Sequence, residues 1–218
     1  MPEWSIGPHS KCGERATVPR VRIPVFPQYY FLGTDYTDYT DLFLPCTSAK
    51  SVPKVLYVKK MEKKKILFIC LGNICRSCTA EEIMRQLVIR EGCEKEFVLD
   101  SAGILSYHQG ELPDSRMRMH AARRGYNLTH RSRPITTEDF YNFDLIVAMD
   151  ERNVDDLRER APGLEEEKKI VRMTDYLQNR VADHVPDPYY GGASGFENVL
   201  DILEDACEGL LAEVTADR

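Results

Sequence analysis

At 218 residues, 43% of them hydrophobic and 29% charged, the chain can bury a sizeable core, a composition that excludes a disordered or fibrous class. A net charge of −6 argues against a general nucleic-acid partner. The seven cysteines, at 12, 46, 70, 75, 78, 93 and 207, lack the spacing of a disulfide framework; with no run of roughly 18 apolar residues and no secretory leader, free thiols, no membrane partner and a cytoplasmic location are expected.

Residues 1–60 differ from the remainder. They hold seven of the twelve prolines and a net charge of +3, which leaves −9 on residues 61–218. The prolines at 19, 24, 27, 45 and 53 break any long helix or central strand. Little independent fold is expected there, and Met61 opens "MEKKKILFIC", which reads as a natural start. Residues 1–60 are therefore read as a mostly irregular N-terminal extension, either an appended arm or a stretch outside the native protein, and residues 61–218 as the functional domain.

From Met61 strands and helices alternate. Ile66–Cys70 is a short apolar run flanked by lysines, suited to a buried parallel strand. Ala80, Ile83, Met84, Leu87 and Val88 then recur at helical spacing. "EFVLDSAG" is a second strand, Asp114–Arg124 a helix stopped near Gly125, "FDLIVAMD" a third strand, Asn153–Arg160 a short helix, and "KIVRM" a fourth strand. The apolar positions from Phe196 to Val214 mark a long closing helix. This order predicts an α/β fold: a four-stranded parallel sheet with helices on both faces, and a phosphate-binding loop between the first strand and first helix. Sites in such sheets lie beyond the carboxyl ends of strands, where Cys70, Ser101 and Asp150 all fall.

The loop "CLGNICRS" joins that first strand to its helix. A loop entering a helix N-terminus gathers backbone N–H groups and the positive end of the helix dipole, which suits an oxyanion. Gly72 and Asn73 tolerate left-handed backbone angles, and Arg76 supplies a planar fork for two oxygens of a tetrahedral anion. The same surroundings favour a thiolate at Cys70. A buried strand-end thiol is the plain alternative for a single cysteine, but the strand-loop-helix setting favours function. Cys70, Cys75 and Cys78 lack a fourth ligand at finger-like spacing, and Arg76 opposes a cation, so no metal and no cofactor is expected. The Walker pattern is absent. Downstream, "DHVPDPYYGG" offers Asp187 as proton donor in a loop bounded by proline and glycine, with Tyr189 and Tyr190 as aromatic walls; an ordinary turn is its competing reading.

Together "CLGNICRS" and the distant "DPYYG" resemble the signature and acid loops of the low-molecular-weight protein tyrosine phosphatases, over about residues 61–218. The resemblance implies a hydrolase acting on tyrosine-phosphorylated protein and small aryl phosphates through a phosphocysteine, with inorganic phosphate as product. It implies Cys70 as nucleophile, Arg76 as phosphate clamp and Asp187 as general acid, with the phosphate held by Leu71, Gly72, Asn73, Ile74, Cys75 and Arg76. Asn73, Ser77, Ser101 and His130 fall where the family has a network supporting the loop, and Asp150 where an aspartate orients it, although Asp150 equally suits a helix N-cap. Leu71, Tyr107, Tyr189 and Tyr190 resemble the rim around an aryl ring, Tyr107 standing near a frequent tryptophan. Cys75 falls at a second loop cysteine able to form a reversible disulfide with the nucleophile; its plain reading is a small buried side chain. Cys78 stands where relatives usually carry proline and adds a third thiol. Two rivals remain: a thiol-dependent arsenate reductase of the same fold, weakened by the lack of a cysteine between Cys93 and Cys207, and a non-catalytic phosphotyrosine-binding module, weakened by the retained Cys70, Arg76 and Asp187.

Overall fold

A computed structural model describes residues 62–189 and 191–216, together with the backbone of Tyr29–Tyr30 and Val58–Lys59. The chain divides into two units, Met1–Lys60 and Met61–Arg218. In the first, β1 (Tyr29–Tyr30) pairs antiparallel with β2 (Val58–Lys59).

In the second unit a four-stranded parallel sheet is formed by β3 (Lys64–Cys70), β4 (Phe97–Gly103), β5 (Leu145–Ala148) and β6 (Ile170–Arg172), in the order β4-β3-β5-β6. The helices are α1 (Arg76–Arg90), α2 (Ser115–Arg123), α3 (Thr137–Asn142), α4 (Glu151–Arg160), α5 (Leu164–Glu167) and α6 (Ala193–Ala216). The four expected strands and the helices on both faces are present. The short α3 and α5 were not expected. For α3 a local signal existed: Thr136 and Asp139 form a reciprocal capping box, with Asp standing where Glu or Gln is the usual second member.

β3 is central because it can be buried on both faces. Ile66, Leu67, Phe68 and Ile69 are fully buried, and their side chains alternate between two cores as the strand period requires. Ile66, Phe68 and Cys70 join the core of α1, α2 and α6, while Leu67 and Ile69 join Phe140 of α3 and Val154 and Leu157 of α4. The chain runs from β3 outward to β4, whereas β5 lies on its other side. Strand order reverses at β3, so its carboxyl end opens at the crevice where doubly wound sheets place their sites. Cys70 is the last residue of β3.

α6 closes the α1 side and carries an unusual interior glycine. A Cβ on Gly209 would lie 2.0 Å from the carbonyl oxygen of Tyr176. Helix propensity alone would favour alanine by about 1 kcal/mol, but the obstacle is backbone that cannot swing aside. Gly209→Ala is therefore expected to lower stability by about 1–3 kcal/mol, read as a fall in the thermal midpoint. A rise would show that α6 packs less tightly on the Met173–Tyr176 turn than this geometry requires.

Candidate active site

The loop from Leu71 to Cys75 turns back over the end of β3. Asn73 has φ 56° and is the non-glycine residue with positive φ among the described residues, as its short polar side chain permits. Gly72 does not share that conformation, which corrects the sequence expectation. Its constraint is space: a Cβ there would meet the ring of His108 at 3.2 Å.

The carbonyl groups of the loop are tied back to the protein. Those of Cys70, Leu71 and Ile74 accept from the N–H groups of Ile104, Leu105 and Asp114 at 2.8–3.0 Å. The Gly72 carbonyl accepts from the Ser132 hydroxyl at 3.1 Å, and that of Cys75 from the Thr79 hydroxyl at 2.6 Å. By contrast, the N–H groups of Gly72, Ile74 and Cys75 have no protein partner among the described residues. α1 starts at Arg76, its N-cap Cys75 provides no side-chain cap, and its first-turn N–H groups are likewise open. Carbonyls turned out and amides left open make the concavity a receptor for an anion.

The Cys70 sulfur sits in this concavity, 3% exposed. It accepts the Asn73 N–H at 3.3 Å and lies 3.1 Å from the Ser77 hydroxyl. Asn73 Nδ2 donates both to Ser77 Oγ and to Ser101 Oγ at 2.9 Å. Asn73 Oδ1 accepts the backbone N–H of Arg133 at 3.0 Å and lies 3.1 Å from His130 Nε2. Asn73 and Ser77, from the loop and the start of α1, thus meet Ser101 and His130 from two other chain segments, in the grouping the resemblance implied.

Arg76 is 3% exposed. Its Nη1 donates to Asp150 at 2.5 Å and to the Val185 carbonyl at 3.1 Å, while Nη2 reaches Asp187 at 3.4 Å. Burial works against the guanidinium charge, but the Coulomb contribution of the neighbouring Cys70, the Asp150 hydrogen bond and the charges of Asp187 and Asp150 outweigh it and hold Arg76 above its ordinary value. Asp150 also caps α4 by accepting the Asn153 N–H at 2.8 Å. Both readings of Asp150 coexist, since each carboxylate oxygen takes one role. Asp187 is the more exposed partner, its second oxygen accepting the Tyr189 N–H at 3.0 Å.

Of the residues expected to form the rim, Leu71 and Tyr189 are partly exposed and Tyr107 is 82% exposed. Arg116 lies 5.2 Å from the centre of the Tyr189 ring. Tyr190 lies outside the described residues. Cys75 and Cys78 are buried free thiols, and burial first, then the Cys70 charge, holds both well above the ordinary thiol range.

Several supporting residues were missed from sequence. Glu81 accepts the Ser101 hydroxyl at 2.8 Å and pairs with His130 Nδ1 at 3.1 Å; it lies one helical turn beyond Ser77, so the i to i+4 spacing carried a signal. Arg133 pairs with Asp100 at 2.7 Å and Asp139 at 2.8 Å, for which no local signal existed. Glu81, Asp100 and His130 bring ligand-type atoms within 4.8 Å of one another, but each already serves the bonds that hold Asn73 and Ser101.

Burial raises the Glu81 carboxyl, yet the hydrogen bond and charge of His130, with Ser101 and Arg85, bring it below the ordinary value. A carboxylate depressed in the folded state contributes stability that is present above its unfolded value, near pH 4.3, and lost as pH falls through the folded one. Glu81→Gln is accordingly expected to lower the thermal midpoint at pH 7 and to flatten its decline as pH falls below about 4.3. Parallel midpoint curves for the two proteins would contradict this assignment.

A family model described as low molecular weight phosphotyrosine protein phosphatase matches residues 65–218. A Synechocystis sp. protein named for the same family is 46% identical over 150 residues, which covers 69% of this chain and 96% of that protein. A Bacillus subtilis low molecular weight protein-tyrosine-phosphatase is 38% identical over 154 residues, 70% of this chain and 97% of its own length. Among solved structures, a protein tyrosine phosphatase from Entamoeba histolytica with Hepes in the active site superposes with a TM-score of 0.70 at 45% identity, covering 71% of this chain and 99% of that one.

Proposed function

The chain belongs to the low molecular weight phosphotyrosine protein phosphatase family, and on that premise we propose that Cys70, Arg76 and Asp187 carry its reaction. The protein is a cysteine-dependent phosphoric monoester hydrolase that cleaves phosphotyrosine through a phosphocysteine. Phosphoprotein is its substrate class and inorganic phosphate its product. The reading for residues 61–218 is the phosphatase domain, with residues 1–60 an N-terminal extension, and the proposed location is cytoplasmic. Among the described residues no helix is long and apolar enough to cross a membrane.

The observation that supports these roles is the Cys70 sulfur lying under open loop amides while Arg76 spans from Asp150 toward Asp187. With a phosphate monoester in the concavity, the sulfur attacks phosphorus in line with the departing phenolic oxygen. The amides of Leu71 to Arg76 and the guanidinium hold the three equatorial oxygens as charge spreads over them. Asp187, still partly in solvent, gives its proton to the phenolic oxygen, leaving phosphate on sulfur. Water then enters where the phenol stood, Asp187 takes its proton, and phosphate departs as the Cys70 thiolate returns. The Ser77 hydroxyl and Asn73 N–H stabilise that sulfur at both ends of the cycle. The depth of Cys70 at the floor, with Leu71 and Tyr189 at the mouth, suits a flat aryl ester better than a short alkyl phosphate.

The test is turnover on phosphotyrosine peptide, phosphoserine peptide and p-nitrophenyl phosphate, with Cys70→Ser as the blank. Preference for the aryl esters is expected. A protein that reduces arsenate with thioredoxin and leaves all three untouched would overturn the reading.

A further inference from the structure

The phosphatase reaction uses one of three cysteines crowded at this loop. Cys75 is the N-cap of α1 and Cys78 is the third residue of its first turn, so "CRSC" places a Cys-x-x-Cys pair across a helix N-terminus, the setting of exchange-active thiols. Cys75 has φ −127° and ψ −74°, outside the helical region, and the Cys78 sulfur folds back to 3.4 Å from its carbonyl oxygen. Residues three apart on a helix hold Cβ atoms about 5–6 Å from each other. A disulfide needs about 3.5–4.5 Å, an approach that the non-helical N-cap can supply by rotating its own backbone. Cys75 and Cys78 are 4% and 1% exposed. Cys78 also lines a cavity of about 530 Å³ with Glu81, Arg85 and His130.

We propose that Cys78 is a thiol–disulfide exchange site that takes over the bond formed when Cys70 is oxidised, so that the oxidised chain ends with Cys75 joined to Cys78 and Cys70 free. This rests on Cys70 being the reactive nucleophile. A hydroperoxide in the phosphate pocket transfers an oxygen to the Cys70 thiolate, forming a sulfenic acid and leaving as alcohol or water. The Cys75 sulfur attacks that sulfur, the S–O bond breaks, water departs and Cys70–Cys75 forms. The Cys78 sulfur, its proton leaving through the adjoining cavity, then attacks Cys75. The Cys70–Cys75 bond breaks and Cys70 leaves as thiolate. The peroxide has gained two electrons, the thiols of Cys75 and Cys78 have lost two, and Cys70 is back in its starting state.

Two features set this order. Burial and the Cys70 charge keep the Cys75 and Cys78 thiols protonated while Cys70 is free, so neither reacts ahead of it. Once Cys70 is bonded to Cys75 its charge is gone, and the positive end of α1 then acts on Cys78 without that opposition. Cys70 is the preferred leaving group of the exchange because the Ser77 hydroxyl and Asn73 N–H receive its departing charge.

The test treats the full chain with one equivalent of hydrogen peroxide, removes the excess with catalase, alkylates free thiols and digests with trypsin. Cleavage after Lys65, Arg76 and Arg85 puts Cys70 and Cys75 in one peptide and Cys78 in the next. The expected product links peptides 66–76 and 77–85, with the alkyl group on Cys70, and phosphatase activity returns without added thiol. In Cys78→Ser and Cys78→Ala the disulfide is expected to stay between Cys70 and Cys75, with activity lost until a dithiol is added. A wild-type map with Cys78 alkylated and both loop cysteines joined overturns the proposal, as does equal recovery in wild type and both variants. Activity before peroxide separately scores the reading of Cys70: its absence in wild type would sink that reading, while the peptide map still decides the exchange.

Discussion

Cys70→Ser is expected to abolish turnover, with a loss on the order of 10⁴–10⁶ in kcat, while the protein still binds phosphate or vanadate. The substitution exchanges one atom. The Ser77 hydroxyl, the Asn73 N–H and the open amides of the loop keep their positions, and Arg76 keeps its bonds to Asp150 and the Val185 carbonyl. Anion affinity belongs to those donors. Nucleophilicity belongs to the sulfur, because a thiol yields its reactive anion far more readily than a serine hydroxyl does. The check pairs p-nitrophenyl phosphate turnover with calorimetric titration of orthovanadate into both proteins. Retained turnover in the variant would sink the phosphocysteine route. Loss of anion binding together with turnover would show that the sulfur is needed to shape the loop.

Asp187→Ala is expected to cost about 10²–10⁴-fold in single-turnover rate if the carboxyl supplies the proton for the leaving oxygen. The cost is expected to depend on the leaving group, because a phenol that departs readily as its anion gains little from protonation. Loss on p-nitrophenyl phosphate is therefore expected to be much smaller than loss on phenyl phosphate or a phosphotyrosine peptide. A structural role would not produce that split. Asp187 also lies 3.4 Å from Arg76, so removing it frees one end of the clamp. That effect bears on binding alike for every ester and appears in KM. An equal fall for good and poor leaving groups would mean that Asp187 holds Arg76 and is not the acid.

Both predictions concern residues that the sequence brings into view by different routes. The loop is local: Cys70 and Arg76 are six positions apart, and the apolar run before them with the helical spacing after them reports a strand-loop-helix unit. The acid loop is more than a hundred residues downstream, and turn-forming residues alone do not distinguish it from any surface turn. What joins it to the loop is the crossover geometry of a parallel sheet, which brings strand ends and the segments that follow them to one edge.

Other parts of the site had weaker signals. His108 lies over Gly72, but its segment lacks a regular period, and nothing in "SYHQG" says which way the chain turns. Arg133 spans Asp100 and Asp139, a contact between residues whose charges look like ordinary solvated surface in the sequence. Gly209 reads as a poor helix residue and is required by a backbone carbonyl thirty-three positions earlier. Each case depends on a contact between distant segments, whereas hydropathy period records only which face of one element is covered.

From the sequence alone came the parallel α/β class, the loop that carries Cys70 and Arg76, and the turn-forming segment around Asp187, because strand and helix periods and short-range spacing are properties of neighbouring residues. Tertiary structure decided the strand order β4-β3-β5-β6, the placing of Asp187 on Arg76, and the chain from Glu81 through His130 and Asn73 to the Cys70 sulfur. Those depend on how crossovers pack around β3, since a hydrogen bond fixed to within a few tenths of an ångström between separate segments exists only once both share one core.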